Sequence, residues 1–140
     1  MAATDDTIPQ SRILIVDDNH QNLELLEAYL EDAANITTIR ATSGEECLRL
    51  VGEQSPDLIL LDIMMPHMSG YEVCKALRRE EATRDIPVIL VTALHEMADV
   101  ELGMDVGAND FLTKPVNRVD LLARINTLLR VRHFGEDASA

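Results

Sequence analysis

Four short runs, Ile13 to Val16, Ile36 to Ala41, Leu58 to Leu61 and Val88 to Val91, are apolar or β-branched with little polar alternation; the second is the weakest, carrying Thr37, Thr38 and Arg40. Strands that read apolar at consecutive positions are covered on both faces, as in a parallel sheet. Between the runs lie segments of helical period: Leu23, Leu26 and Leu30, then Cys47, Leu48 and Val51, then Val73, Ala76 and Leu77. Ser43 and Glu46 have the spacing of an N-terminal capping box, and Pro56 and Pro87 stand just ahead of strands, where a helix cannot continue. Gly103 to Asn109 contains two glycines and precedes a short fifth-strand candidate, Asp110 to Leu112. A last helix from about Arg118 to Arg132 carries Leu121, Leu122, Ile125, Leu128 and Leu129 on one broad stripe, with Asn117 and Asp120 as cap partners. Five βα units joined by right-handed crossovers predict an α/β fold, a doubly wound five-stranded parallel sheet with helices on both faces.

Length and charge narrow the function. The 140 residues, 46% of them hydrophobic, suit one domain with a real core. Its expected span is residues 12–132, with a disordered segment 1–11 and a flexible tail 133–140. Twenty-five acids against 12 bases leave a net charge of −13, which disfavours direct nucleic-acid binding. No apolar run approaches the roughly 20 residues needed to cross a bilayer, and the first ten residues do not resemble a signal peptide. Cys47 and Cys74 show no metal-ligand or disulfide spacing, so a cytoplasmic, reducing setting is expected. The four histidines, His20, His67, His95 and His133, are scattered and lack metal spacing.

The ends of the strands carry the chemistry. In an open α/β sheet, ligands bind beyond the carboxyl ends of the strands. Strand one stops at Asp17-Asp18, strand three at Asp62 and strand four at Thr92, and strand five is followed by Thr113-Lys114-Pro115. Any one of these aspartates alone is an ordinary cap or turn residue. If strands one and three are neighbours, three carboxylates converge. Three such charges within about 4–6 Å of one another either shift their pKa values or hold a cation. Without a dense acidic loop to build an all-protein cage, magnesium fits better than calcium.

The set Asp17-Asp18, Asp62, Thr92-Ala93 and Lys114-Pro115, with the segment Asp62-Ile63-Met64-Met65-Pro66-His67-Met68-Ser69-Gly70, resembles the receiver domain of bacterial two-component response regulators. The spacings, 44 residues from Asp18 to Asp62, 30 on to Thr92 and 22 on to Lys114, fit that pattern from about Arg12 to Arg132. Gly107 to Phe111 is similar to the stretch that introduces the family's last strand. The resemblance implies a flavodoxin-like sheet of strand order 2-1-3-4-5.

It also implies roles. Asp62 would be the nucleophile that takes a phosphoryl group from a phosphohistidine, and the domain a signalling phosphoacceptor rather than a turnover enzyme. Mg2+ would be held by Asp17, Asp18, Asp62 and the backbone carbonyl of Met64. Lys114 would be a second cation for the phosphoryl oxygens, turned inward by a cis bond to Pro115, and Thr92 would donate its hydroxyl. Phe111 corresponds to the family's aromatic switch, which with Thr92 would pass the event to the fourth helix, fifth strand and fifth helix. Phe111 has no hydroxyl where many members have tyrosine. Met64 and Leu94, two positions beyond Asp62 and Thr92, are apolar and offer nothing to orient an attacking water, which predicts a long-lived phosphoryl state.

The implied partners are a sensor histidine kinase or phosphotransfer protein, and a downstream effector protein or output domain. The segment from Thr113 to Arg124 is similar to receivers that precede diguanylate cyclase or other output modules, and both a free-standing regulator and the receiver of a longer one remain open. A phosphorylation-dependent homodimer could use the fifth-helix stripe, with Arg124, Arg130 and Arg132 facing Asp99, Glu101 and Asp105. The main rival is an Asp-nucleophile phosphatase of the haloacid-dehalogenase type. Those enzymes carry the nucleophile on strand one and a second acid two residues on, where this chain has strand three and Met64.

Overall fold

The computed structural model describes residues 8–93 and 97–135, with only the backbone described for 97–100. Leu94, expected to shield the phosphoryl site, and His95 lie outside the described residues. Five strands, β1 (Ser11–Val16), β2 (Ile36–Ala41), β3 (Leu58–Asp62), β4 (Val88–Thr92) and β5 (Asp110–Thr113), alternate with α1 (His20–Glu31), α2 (Gly44–Gln54), α3 (Gly70–Arg79), α4 (Met97–Asp105) and α5 (Arg118–Phe134). The sheet is wholly parallel in the order β2-β1-β3-β4-β5, as expected.

Each face of the sheet buries its own core. Leu14, Val16, Ile59, Leu61, Val88 and Leu90 pack with Cys47 and Val51 of α2 and Val73, Cys74 and Leu77 of α3. Ile13, Ile15, Leu58, Leu60, Ile89 and Val91 pack with Leu23, Leu26 and Leu30 of α1 and Leu121, Ile125 and Leu129 of α5. Adjacent residues of one strand thus enter opposite cores, which is why β1, β3 and β4 read as unbroken apolar runs.

The helix starts follow the sequence with one exchange. Asn19, Ser43, Ser69 and Asn117 each accept the backbone N–H three residues on. The box expected at Ser43 and Glu46 closes only halfway. Ser43 Oγ takes the Glu46 amide, but Glu46 Oε1 turns to the amide of Thr42 at 2.6 Å. A complete box forms at Ser69 and Glu72 instead.

Several boundaries move. Ser11 already belongs to β1, Ile8 is buried, and the Asn35 side-chain amide donates to the Ile8 carbonyl at 2.9 Å, so packing against α1 and α5 begins ahead of residue 12. At the other end α5 continues through Phe134. Gly103 lies inside α4. A Cβ there would come within 2.9 Å of Leu90 Cδ1 and 3.3 Å of the Phe111 ring, so glycine lets the helix lie close on the sheet. The α5 stripe is the core face, since Leu121, Ile125 and Leu129 are buried. Within the chain, Arg124 pairs with Asp110 and Asp120, and Arg132 with Asp57.

Candidate functional site

Because β1 lies beside β3, the acidic ends of both strands open into one hollow at the carboxyl edge of the sheet. Asp17 and Asp62 are nearly buried, with 2% and 4% of their surface exposed, while Asp18 faces solvent. One carboxylate oxygen from each lies within 4.8 Å of the others. Asp17 is held twice, its Oδ1 accepting the Asn19 amide at 2.9 Å and its Oδ2 the Lys114 ammonium at 3.1 Å. Asn19 thus serves two ends: its side chain caps α1 while its backbone orients Asp17.

Lys114 arrives from the far side of the sheet. It follows β5, its amide donates to the Thr92 carbonyl at 2.7 Å, and the Lys114-Pro115 bond is cis. The ammonium sits between two carboxylates, 3.1 Å from Asp17 and 3.3 Å from Asp62. Thr92 ends β4, fully buried, opposite Thr113. Thus β1, β3, β4 and β5 each deliver one element, in the arrangement expected from the sequence. Phe111 is half-buried against the α2–α3 core and pairs in register with Leu90, two residues before Thr92 on the same face of β4.

The electrostatics show an unbalanced site. Burial pushes the Asp62 carboxyl up to about 6, and repulsion from Asp17 and Asp18 adds to it; Lys114 acts in the opposite direction without cancelling them. For Lys114, burial disfavours the ammonium, but the charges of Asp62 and Asp17 outweigh it and its pKa is raised. With all groups ionised, one lysine faces three carboxylates. The donors are hard oxygens and the excess is two negative charges, which fits a divalent cation such as Mg2+. Asp17, Asp18 and Asp62 are the side chains that could hold it, and they form the one such acidic, histidine or cysteine cluster found among the described residues.

The β3–α3 loop frames the site and contains a further residue, Gly70, that shapes it. Gly70 starts α3 with its amide on the Ile63 carbonyl at 2.9 Å, and a Cβ there would fall 2.5 Å from the Asp62 carbonyl oxygen. Only glycine lets the loop return so closely to the strand that carries Asp62. The available signal was the Ser69-Gly70-Tyr71-Glu72 spacing, a serine and a glutamate three residues apart with the glycine between them. Met64 projects from this loop with 64% of its surface exposed, beside the site rather than in the core. His67 adopts a positive φ of 70°, a conformation uncommon for non-glycine residues but one in which asparagine, aspartate and histidine are enriched.

A parallel sheet of order 2-1-3-4-5 with clustered acids, a threonine and an inward lysine at its carboxyl edge defines an α/β domain whose charged groups gather at one end of the sheet. The chain belongs to the response regulator receiver domain family, whose model matches residues 13–126. It is 45% identical over 122 residues to the response regulator PleD of Caulobacter vibrioides, covering 87% of this chain and 27% of that protein. It is 44% identical over 119 residues to the DNA-binding dual master transcriptional regulator RpaA of a Synechocystis strain, covering 85% of this chain and 49% of that one. The chain therefore spans about a quarter to a half of these curated relatives. Among solved structures, the signal receiver domain of a signal transduction histidine kinase from Syntrophus aciditrophicus superposes with a TM-score of 0.79 at 39% identity, covering 85% of this chain and 89% of that one.

Proposed function

We propose that this receiver domain accepts a phosphoryl group on Asp62 from the phosphohistidine of a histidine kinase or phosphotransfer protein, and that it acts as a phosphoacceptor rather than a turnover enzyme. The observation that carries the reading is the shared ammonium of Lys114 between Asp17 and Asp62, beside three carboxylates with two charges in excess. An Asp62 carboxylate oxygen attacks phosphorus in line, the P–O bond forms, the P–N bond to the donor imidazole breaks, and the leaving nitrogen takes up a proton. Two anions must approach for this to happen, so catalysis is chiefly the placement of positive charge at the phosphoryl oxygens. Asp17, Asp18, Asp62 and the Met64 carbonyl would hold Mg2+, which supplies charge neutralisation between nucleophile and phosphate. Lys114 is the fixed protein cation at the same oxygens. Thr92 donates its hydroxyl to a phosphoryl oxygen, and its movement makes room for Phe111 beneath α4, altering the surface offered to an effector protein or output domain.

The test is incubation with acetyl phosphate and Mg2+. The expected result is a gain of one phosphoryl mass on the wild type and none on Asp62→Ala. A gain that survives Asp62→Ala refutes the assignment, and sustained hydrolysis of a generic phosphate ester that requires Asp62 favours the phosphatase instead.

A further inference from the structure

Strand β2 forms one open edge of the sheet. Its register fixes which groups are open. The Ser11 amide donates to the Asn35 carbonyl and the Asp17 amide to that of Ala41, with Ser11, Ile13 and Ile15 lying opposite Ile36, Thr38 and Arg40. In a parallel ladder the backbone groups of Thr37, Ile39 and Ala41 then serve β1, while those of Ile36, Thr38 and Arg40 point outward. Among the described residues, nothing pairs with those outward groups. The usual protections of an edge, a proline, a bulge or a lysine, are missing from β2. Its one charge, Arg40, is drawn up to α1, where Nε meets Glu27 Oε2 at 3.0 Å.

Beside this edge runs a groove of about 410 Å³ lined by Ile36 and Thr38 of β2 and by Glu24, Glu27, Ala28, Leu30 and Glu31 of α1. Ile36 and Thr38 stand on its floor. The glutamates form its rim, Glu24 and Glu31 exposed and Glu27 half-buried against Arg40. The chain's own guanidinium already occupies one place on this rim, so the rim accepts the kind of group an incoming basic side chain would bring. A second copy is a poor occupant, because pairing β2 with β2 would set two such rims together on molecules that each carry a net charge of −13.

We propose that the β2 edge and the α1 rim form a docking groove for an extended, lysine- or arginine-bearing segment of a partner protein, added as a sixth strand beside β2. The outward backbone groups of Ile36, Thr38 and Arg40 provide the ladder, and Glu24 and Glu31 select positive side chains on the α1 face. The groove lies on the edge strand, on the opposite side of β1 from β3, β4 and β5.

The probe is the synthetic peptide acetyl-Val-Lys-Val-Arg-Val-Lys-Val-amide, titrated into the full chain at saturating Mg2+ so that the strand-end carboxylates are occupied. Amide shift changes are expected along β2 and the facing turns of α1. The Glu24→Gln/Glu31→Gln double variant should weaken binding about tenfold, as expected for loss of two rim charges, and raised salt should act in the same direction. Thr38→Pro removes an outward amide without touching the β1 ladder and should abolish binding, as should N-methylation of alternate peptide residues in case the proline variant fails to fold. Shift changes centred on Asp17, Asp18 and Asp62, equal binding of the N-methylated peptide, or no binding at millimolar peptide would each overturn the proposal.

Discussion

Replacing Asp62 by asparagine should make the metal-free protein more stable at neutral pH, even though it removes the proposed nucleophile. The native carboxyl sits at about 6 against an ordinary value of 3.8, so the folded state holds its proton more tightly than the unfolded chain does. At about 1.4 kcal/mol per pKa unit, keeping Asp62 ionised in the fold costs about 3 kcal/mol above pH 6. That cost shrinks as the pH falls through 6 and is gone below about 3.8, where both states are protonated. Asp62→Asn keeps the shape and removes the charge. Urea unfolding in EDTA at pH 7.5 should therefore show a gain of about 2–3 kcal/mol, with an unchanged denaturant slope. At pH 4 the gain should nearly vanish. Mg2+ held as proposed would, at ten times its dissociation constant, add about 1.4 kcal/mol to the wild type, narrowing the gap at pH 7.5. A variant no more stable than wild type at pH 7.5 in EDTA, or a gap that stays constant between pH 7.5 and 4, would refute the picture of a buried, unbalanced carboxylate.

Three further outcomes follow from the same geometry. Lys114→Ala should slow phosphorylation by acetyl phosphate on the order of 100-fold, the usual scale for losing one preorganised charge at a developing anion, and it should raise the Asp62 pKa further; unchanged rates measured by intact-protein mass would argue against Lys114 as the phosphoryl cation. Met64→Glu or Met64→Asn places an acid or amide on a side chain that is 64% exposed beside the site, so autodephosphorylation should accelerate, and a lifetime no shorter than wild type would count against apolar shielding. Gly70→Ala must displace a loop whose Cβ position lies 2.5 Å from the Asp62 carbonyl oxygen. Weaker Mg2+ binding by titration, together with a loss of about 1–3 kcal/mol of stability, is expected, and wild-type values for both would contradict the close approach.

Much of the fold was legible because a doubly covered parallel sheet writes itself as apolar runs. Ile13 to Val16, Leu58 to Leu61 and Val88 to Val91 each lie within a strand of the structure, and the cap partners Asn117 and Asp120 show how a short-range bond sets a helix start. The miss at Ser43 has a local cause: the Glu46 carboxylate had two amides within reach, and the neighbouring Thr42 amide took it. The role of Gly103 was not legible, because a glycine inside a helix and a glycine in a turn look alike until the packing partner, here Leu90 with Phe111, is known. Long side chains likewise choose partners by distance in space, and Asp57 meets Arg132 from 75 positions away.

For the site, the sequence by itself determined which groups stand at the ends of the strands: Asp17, Asp18, Asp62, Thr92 and Lys114 each follow or close an apolar run, and a strand end is a local property. Only the tertiary structure decided that these ends meet. The 2-1-3-4-5 order sets β1 against β3 and carries Lys114 from beyond β5 to within 3.3 Å of Asp62. That convergence, together with the burial of Asp17 and Asp62, turns five ordinary polar residues into an unbalanced charge cluster, because the strength of the coupling depends on separation and on exclusion of water, neither of which a linear sequence contains.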